Sequence, residues 1–323
     1  MNSRVVQLVV GFACTIVFLA LTLYGAPLEA VSAALANANP LWIGMAMVLY
    51  AVNLGLRAWR WQLILRSVAA ISYPSVGRAL LVGYGLNTLL PARLGELFRA
   101  EYLKKTCGLS RVWILASIII ERLFDAITVV TCLGLGLLLA APTQQNAGIL
   151  LSVLVTASIL FGTIAIVAFY LSGQVMPRVL RRLSGVSAQL AMVQRGFEIL
   201  RSGRIAAVVA FTLLIYVPDG LSLWCLVKAV GLTLGFADGL VLVGAASLST
   251  LVPSGPAFLG TLQFAYALAI EFGGSSRATG IAAATLAQVC LLFPVAIAAV
   301  SIIAHGSGRL AYSMLVKQRQ QPE

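Results

Sequence analysis

Glu121, Arg122 and Asp125 lie together well inside the apolar run 112–140. A charge at the centre of a membrane helix costs roughly 2.5–3.5 kcal/mol on insertion scales, so three neighbours are not left facing lipid. Glu121 and Asp125 are four apart and share a helix face. Arg122 precedes Asp125 by three and can pair with it inside the helix, which leaves Glu121 for another helix. Such a group either locks helices as a buried ion pair or serves gating or proton coupling, and both readings stay open. Asp219 follows Pro218 near the middle of the apolar run 205–230. Proline there kinks a helix and frees a carbonyl. A lone carboxylate at that depth needs a cation or a proton; Arg93, Arg99 and Arg122 are the candidate cations, and gating or proton coupling is the candidate role. Arg93 and Arg99 each stand three residues from Glu96. Two guanidinium groups around one carboxylate leave a net positive charge that suits phosphate, which arginine binds bidentately. The bland alternative is a solvated interfacial cluster.

These charges follow an apolar limb, 76–90, that is too short to cross a bilayer and ends in Asn87-Thr88-Leu89-Leu90-Pro91. A second limb, 241–252, runs into Thr250-Leu251-Val252-Pro253-Ser254-Gly255-Pro256. Both limbs begin Leu-Val-Gly, at Leu81 and Leu242, and both end Thr-Leu-apolar-Pro, with one residue inserted in the second. Broken helices leave backbone N–H and C=O groups that lipid cannot satisfy, so they belong where they line a polar cavity. Substrate contacts are expected from Asn87, Thr88, Pro91, Arg93, Glu96 and Arg99 at the first break, and from Thr250, Pro253, Ser254 and Gly255 at the second.

The elements that must position these residues are helical and membrane-spanning. Of 323 residues, 60% are hydrophobic and 10% charged, against about 25% charged in soluble domains. Runs 5–24, 41–65, 112–140, 148–171, 205–230 and 278–304 reach the roughly 18–20 residues a spanning helix needs. The expected architecture is an all-α polytopic membrane protein with about six crossings. It forms one domain, 1–323, with repeat halves near 1–140 and 148–304. Segment 27–40 reads as a short loop. Linker 172–204 carries Val186, Leu190, Val193 and Phe197 at helical spacing and reads as a cytoplasmic amphipathic helix.

Lys and Arg collect on the cytoplasmic side of membrane proteins. Arg57, Arg60 and Arg66 mark the end of the second crossing as cytoplasmic, with Trp59 and Trp61 in the interfacial belt. The same rule places both termini in the cytoplasm and makes the first limb dip from inside and the second from outside. The halves are then an inverted repeat with two opposed re-entrant hairpins, an arrangement that in transporters meets at a midplane substrate site. The net charge of +12 is explained by this bias and by contact with lipid headgroups. Nucleic acid is excluded, because no basic run carries a recognised module. The five cysteines form no CxxC pair and read as packing residues. No metal or cofactor motif occurs, and no cofactor is expected.

Four pieces resemble the flippase-like family that includes the transmembrane region of lysyl-phosphatidylglycerol synthases. They are Arg57-Ala58-Trp59-Arg60-Trp61; Asn87 through Glu96 with Arg99; Glu121-Arg122-Leu123-Phe124-Asp125; and Pro253-Ser254-Gly255-Pro256 with Gly260. The resemblance implies a bacterial inner-membrane protein that moves or handles lipids, in some members aminoacylated phospholipids. The second break lacks a counterpart of Glu96 and has Gln263 nearby.

Together these readings predict a translocase for a lipid whose headgroup is charged and phosphate-containing, gripped by Arg93 and Arg99 between the two breaks. Glu121, Arg122, Asp125 and Asp219 would serve gating or proton coupling. A membrane-embedded transferase using a polyprenyl-linked donor is the alternative, with Glu96 as its acid or base. A scaffold for a lipid-modifying enzyme is the third reading. The expected partners are membrane lipids and, in that third case, such an enzyme.

Overall fold

The computed structural model describes residues 3–24, 26–66, 69–90, 94–140, 204–250, 252 and 254–305. All regular elements among them are helical: α1 (Ser3–Leu23), α2 (Leu28–Ala36), α3 (Pro40–Leu65), α4 (Tyr73–Leu89), α5 (Gly95–Cys107), α6 (Arg111–Leu139), α7 (Ile205–Ala229), α8 (Phe236–Ser249), α9 (Thr261–Phe272) and α10 (Arg277–His305). A short 3-10 turn, Pro256–Phe258, precedes α9. Four of these helices, α3, α6, α7 and α10, are long and apolar enough to cross a membrane. A fifth crossing is possible if Ala13–Leu23 and Leu28–Ala36, bent by 90°, count as one span. Bulky apolar side chains such as Leu41, Val48, Leu139, Leu213 and Ile297 point outward, as suits a chain whose solvent is lipid. The chain is therefore an all-helical polytopic membrane protein. The expected crossing 148–171 and the amphipathic linker 172–204 lie outside the described residues, apart from Arg204.

The long helices start where the sequence caps them. Asn39 accepts a hydrogen bond from the Leu41 N–H at 2.9 Å, and Pro40 opens α3 at a position whose N–H would be orphaned anyway. Segment 27–40, read as a loop, instead contains α2. Its alanine-rich stretch favours helix, and Val31 gives it one residue to bury against α9 and α10. The first limb begins at Tyr73 and the second at Phe236, each a few residues before the apolar run, with Ser75 and Asp238 in their first turns.

Two halves repeat one order: a long helix (α3 or α7), a short helix (α4 or α8), a break, a second short helix (α5 or α9), and a long helix (α6 or α10). Hydrogen bonds fix how the two leading helices run. The Asn39 N–H donates to the Ala229 carbonyl at 2.8 Å, the Ser222 hydroxyl to the Ala46 carbonyl at 2.9 Å, and the Asn53 amide to the Ile215 carbonyl at 2.8 Å. Each step of seven up α3 is a step of seven down α7, so the helices are antiparallel and the halves begin in opposite directions.

Glycines then let each limb approach the closing helix of the other half. A Cβ on Gly85 of α4 would strike the Val295–Ala299 backbone region of α10. One on Gly244 of α8 would come within 2.6 Å of Leu133 in α6, and one on Gly136 within 2.8 Å of Val241. Small residues permit this close packing where no hydrophobic force drives helices together. One core lies within the first half around Trp61, Leu80, Leu103 and Ile114; the other gathers around Leu226, Tyr266, Ile270 and Ala283 and takes in Ala46 of α3 and Leu137 of α6.

Candidate functional site

The first break brings α4 and α5 together as a hairpin. Asn87 uses its side-chain oxygen to accept the Gly95 N–H at 2.8 Å, satisfying an orphan donor of α5. Thr88 donates to the Tyr84 carbonyl at 3.2 Å. A Cβ at Gly95 would collide with the Gly83 carbonyl and with Asn87, so the residue after Leu94 must be glycine for the limbs to meet. Pro91 and Arg93 lie outside the described residues.

Beside this hairpin four guanidinium groups face four carboxylates among the described residues. Arg99 of α5 pairs with Glu121 of α6 at 2.9 Å, and Glu96 of α5 pairs with Arg122 of α6 at 3.0 Å. The two helices thus exchange an acid and a base in each direction. Arg60 of α3 reaches Asp125 at 2.7 Å and Glu121 at 3.3 Å, and also donates to the Thr212 hydroxyl at 3.1 Å. Arg57 lies 3.4 Å from Asp125 and 3.6 Å from Asp219 of α7. Arg122 approaches Asp125 at 3.7 Å within α6. Arg60, Arg99 and Glu121 are 0% exposed. Their burial is tolerable because each charge meets an opposite one; removing a single partner would leave a buried charge uncompensated.

Aromatic rings finish the shell. The Arg99 guanidinium carbon sits 3.4 Å from the Trp61 ring centroid, a stacked cation–π contact, and Trp61 donates to the Ser117 hydroxyl at 3.0 Å. Tyr84 stands 5.8 Å from Arg122 and 6.0 Å from Arg99, and Tyr216 stands 5.8 Å from Arg57. Tyr216 also donates to the Asp125 carbonyl at 3.3 Å.

The second break is built without charge. Gly255 donates its N–H to the Thr15 hydroxyl at 2.6 Å. Gln263 accepts from the Gly260 N–H at 2.9 Å and donates to Gln288 at 2.6 Å, while Gln288 donates to the Ala257 carbonyl at 2.9 Å. Gln288 belongs to a π-helical turn, Ala287–Leu292, inside α10. Ala257 and Phe258 both have left-handed backbone, φ 56° and 57°, a conformation disfavoured for residues with a Cβ. Thr250 donates to the Ser247 carbonyl at 2.7 Å. Ser254 is 4% exposed and its hydroxyl has no hydrogen-bond partner among the described residues. Pro253 lies outside the described residues. The 3-10 turn of this break packs against α4, so the two hairpins adjoin.

Against the sequence-based expectations, Arg122 does approach Asp125 within its own helix, and Glu121 does find partners on other helices. Among the described residues Asp219 pairs with neither Arg99 nor Arg122; its cation is Arg57, and Arg93 lies outside the described residues. Arg57 and Arg60, read as marks of a helix end, turn inward onto the carboxylates of α6. Burial of Arg60 and the near-burial of Arg57 make them the hub of the network. Trp61 is not an interfacial belt residue either, being fully buried under Arg99, whereas Trp59 is half exposed. Arg99, expected on a headgroup, spends its guanidinium on Glu121 and Trp61. The missed signal was present: Asn53, Arg57 and Arg60 fall on one face of α3 at spacings of four and three, a polar stripe in an apolar helix. Asn53 accepts from the Arg57 Nε at 2.8 Å.

Comparison with known proteins agrees with this picture. A 143-residue stretch is 33% identical to the glycosyltransferase AglD of Haloferax volcanii; it covers 44% of this chain but 23% of that protein's length. A 180-residue stretch is 23% identical to the UPF0104 membrane protein MJ1078 of Methanocaldococcus jannaschii, covering 56% of this chain and 76% of the relative. The family described as the lysylphosphatidylglycerol synthase TM region matches residues 5–299. That match takes in both hairpins and every charged residue of the network, and the chain belongs to this family.

Proposed function

We propose that this protein is a translocase for a lipid with a charged, phosphate-containing headgroup, working in a bacterial inner membrane with both termini cytoplasmic. The observation that carries the reading is the neutral set of four guanidinium and four carboxylate groups gathered from both halves beside the first break. In an apolar chain such groups mark a path for polar cargo. The antiparallel leading helices support an inverted repeat, in which two hairpins can alternate access to one site. Arg93, which lies between the two limbs of the first hairpin in sequence, would meet the headgroup. Arg99 and Glu121 hold α5 against α6 and so position that break. Acyl chains would remain in lipid.

The test is reconstitution into liposomes carrying headgroup-labelled lipids, read as label in the inner leaflet becoming accessible to an impermeant quencher. The wild-type chain should expose inner-leaflet label for an anionic lipid, and Arg93→Ala should slow this. No transbilayer movement for anionic or zwitterionic lipids would overturn the proposal. A second reading is favoured by one finding, the likeness to a protein named as a glycosyltransferase. It is a transferase using a polyprenyl-linked donor, and transfer of a sugar label from polyprenyl phosphate in the same liposomes would support it instead.

A further inference from the structure

The four arginines of the network are not equivalent. Arg60 and Arg99 are fully buried and hold carboxylates at 2.7 and 2.9 Å. Those are the lengths of charge-assisted hydrogen bonds, and at 0% exposure neither group is open to an arriving anion. Arg57 is anchored differently. Its Nε is fixed on Asn53, while its two terminal nitrogens reach Asp125 and Asp219 only at 3.4 and 3.6 Å. The Arg122 Nη1 approaches the same Asp125 oxygen, Oδ2, at 3.7 Å. Two guanidinium groups therefore converge on one anionic oxygen that neither grips closely. Their side chains are 12% and 29% exposed, against 0% for Arg60 and Arg99. The Tyr84 hydroxyl oxygen is buried without a hydrogen-bond partner among the described residues, although it lies within electrostatic reach of both Arg57 and Arg122. It is a donor with nothing to donate to.

We propose that Arg57, Arg122 and the Tyr84 hydroxyl form a seat for one phosphate group, and that Asp219 is the internal anion a phosphate displaces from Arg57. The displacement follows from charge. Among the described residues the network is neutral, so an arriving anion requires a carboxylate to withdraw. Asp125 stays, held by Arg60 at 2.7 Å. Asp219 has Arg57 as its ion-pair partner at 3.6 Å and is 17% exposed. Among the described residues this pair is also the ion pair that joins the two halves, α3 to α7. Seating a phosphate on Arg57 thus removes one electrostatic tie between the halves, which links headgroup binding to their separation. The inference rests on the lipid-translocase reading for the identity of the phosphate; a free phosphate offers the same chemistry.

Asp219→Asn and Arg57→Gln make opposite predictions for anion binding, whereas loss of a purely structural ion pair would weaken the fold in both. The experiment follows thermal unfolding of the full chain in uncharged detergent against increasing inorganic phosphate or a water-soluble short-chain phosphatidylglycerol, since a ligand of the folded state raises Tm. The wild type should be stabilised by the lipid more than by phosphate; equal effects would assign the seat to free phosphate. Asp219→Asn should reach half effect at about tenfold lower concentration, and Arg57→Gln should lose the effect. Unchanged or weaker binding by Asp219→Asn overturns the proposal even if Arg57→Gln does not fold, as does a wild type that neither anion stabilises. If the exchange holds but no lipid moves in liposomes, the translocase reading fails alone; if lipid moves and Asp219→Asn binds no better, the exchange fails alone.

Discussion

The two hairpins occupy matching places in the two halves, yet they are held by different chemistry. The first, α4–α5, is tied to α6 by reciprocal ion pairs, Arg99 with Glu121 and Glu96 with Arg122. The second, α8–α9, is tied to α10 by neutral amides, Gln263 with Gln288, and stores left-handed backbone at Ala257 and Phe258. Charges give deep but brittle attachment, because every partner is needed. Amides give a shallower attachment that survives the loss of one member. A mobile element suits the second kind, and a fixed anchor suits the first.

The largest effect should come from breaking the charged side. Glu121→Ala leaves Arg60 and Arg99 buried without their shared carboxylate, and loss of one partner of a buried pair costs about 3–5 kcal/mol. Yield of folded protein in detergent and its Tm should both fall sharply. Gln288→Ala is the matching change on the second hairpin. It removes the donor to the Ala257 carbonyl and the partner of Gln263, which should cost about 1–3 kcal/mol. If the two variants lose equal Tm, the contrast between the hairpins is wrong.

Ala257→Gly tests the stored strain. Left-handed backbone costs a residue with a Cβ roughly 1–2 kcal/mol, and glycine gives back roughly 0.5–1 kcal/mol in lost chain entropy. The variant should be stabilised by a few tenths to about 1 kcal/mol. If the strain serves movement of this hairpin, the stabilised variant should translocate lipid more slowly in the liposome assay.

Much of this frame can be read in the sequence. The bounds of α3, α6 and α7 follow from long, mostly apolar runs, and the breaks follow from prolines after short limbs. The pairing could not be read in the same way. Arg57 and Arg60 resemble the arginines that mark a cytoplasmic helix end, and only the packing of α6 and α7 against α3 shows that they are buried. Asp219 beside Pro218 was legible as a carboxylate in need of a cation, but its partner depended on the antiparallel crossing of α3 and α7. The second hairpin was legible as a repeat, although nothing in Gln263 and Gln288, 25 residues apart, announces that they touch. The π turn that aims Gln288 leaves no periodicity signal.

The smallest effect concerns a pair that both halves share at their outer corners. Arg111, the first residue of α6, pairs with Glu101 of α5, and Arg277, the first residue of α10, pairs with Glu271 of α9 at 3.6 Å. The first corner is the tighter, with Arg111 donating to Glu101 at 2.7 Å. This pair is at the surface, and Glu101 belongs to α5, outside the four helices able to cross. The Arg111 hydrogen bond and charge, helped by Lys104 and Lys105, hold the Glu101 carboxyl below the usual glutamate range. A lowered folded value means that the unfolded chain takes up the proton first as pH falls. The contribution of Glu101 is therefore complete above the ordinary value of about 4.3 and disappears as pH drops through its depressed folded value. Glu101→Gln should lower Tm slightly at neutral pH, lose that difference in acid, and lose it again in high salt, which screens exposed charges. Glu271→Gln, with the longer contact, should change Tm less. A larger effect at Glu271 would show that the corners are not ranked by their geometry, and that the outer ends of the two hairpins do not follow the order of stiffness assigned to their inner ends.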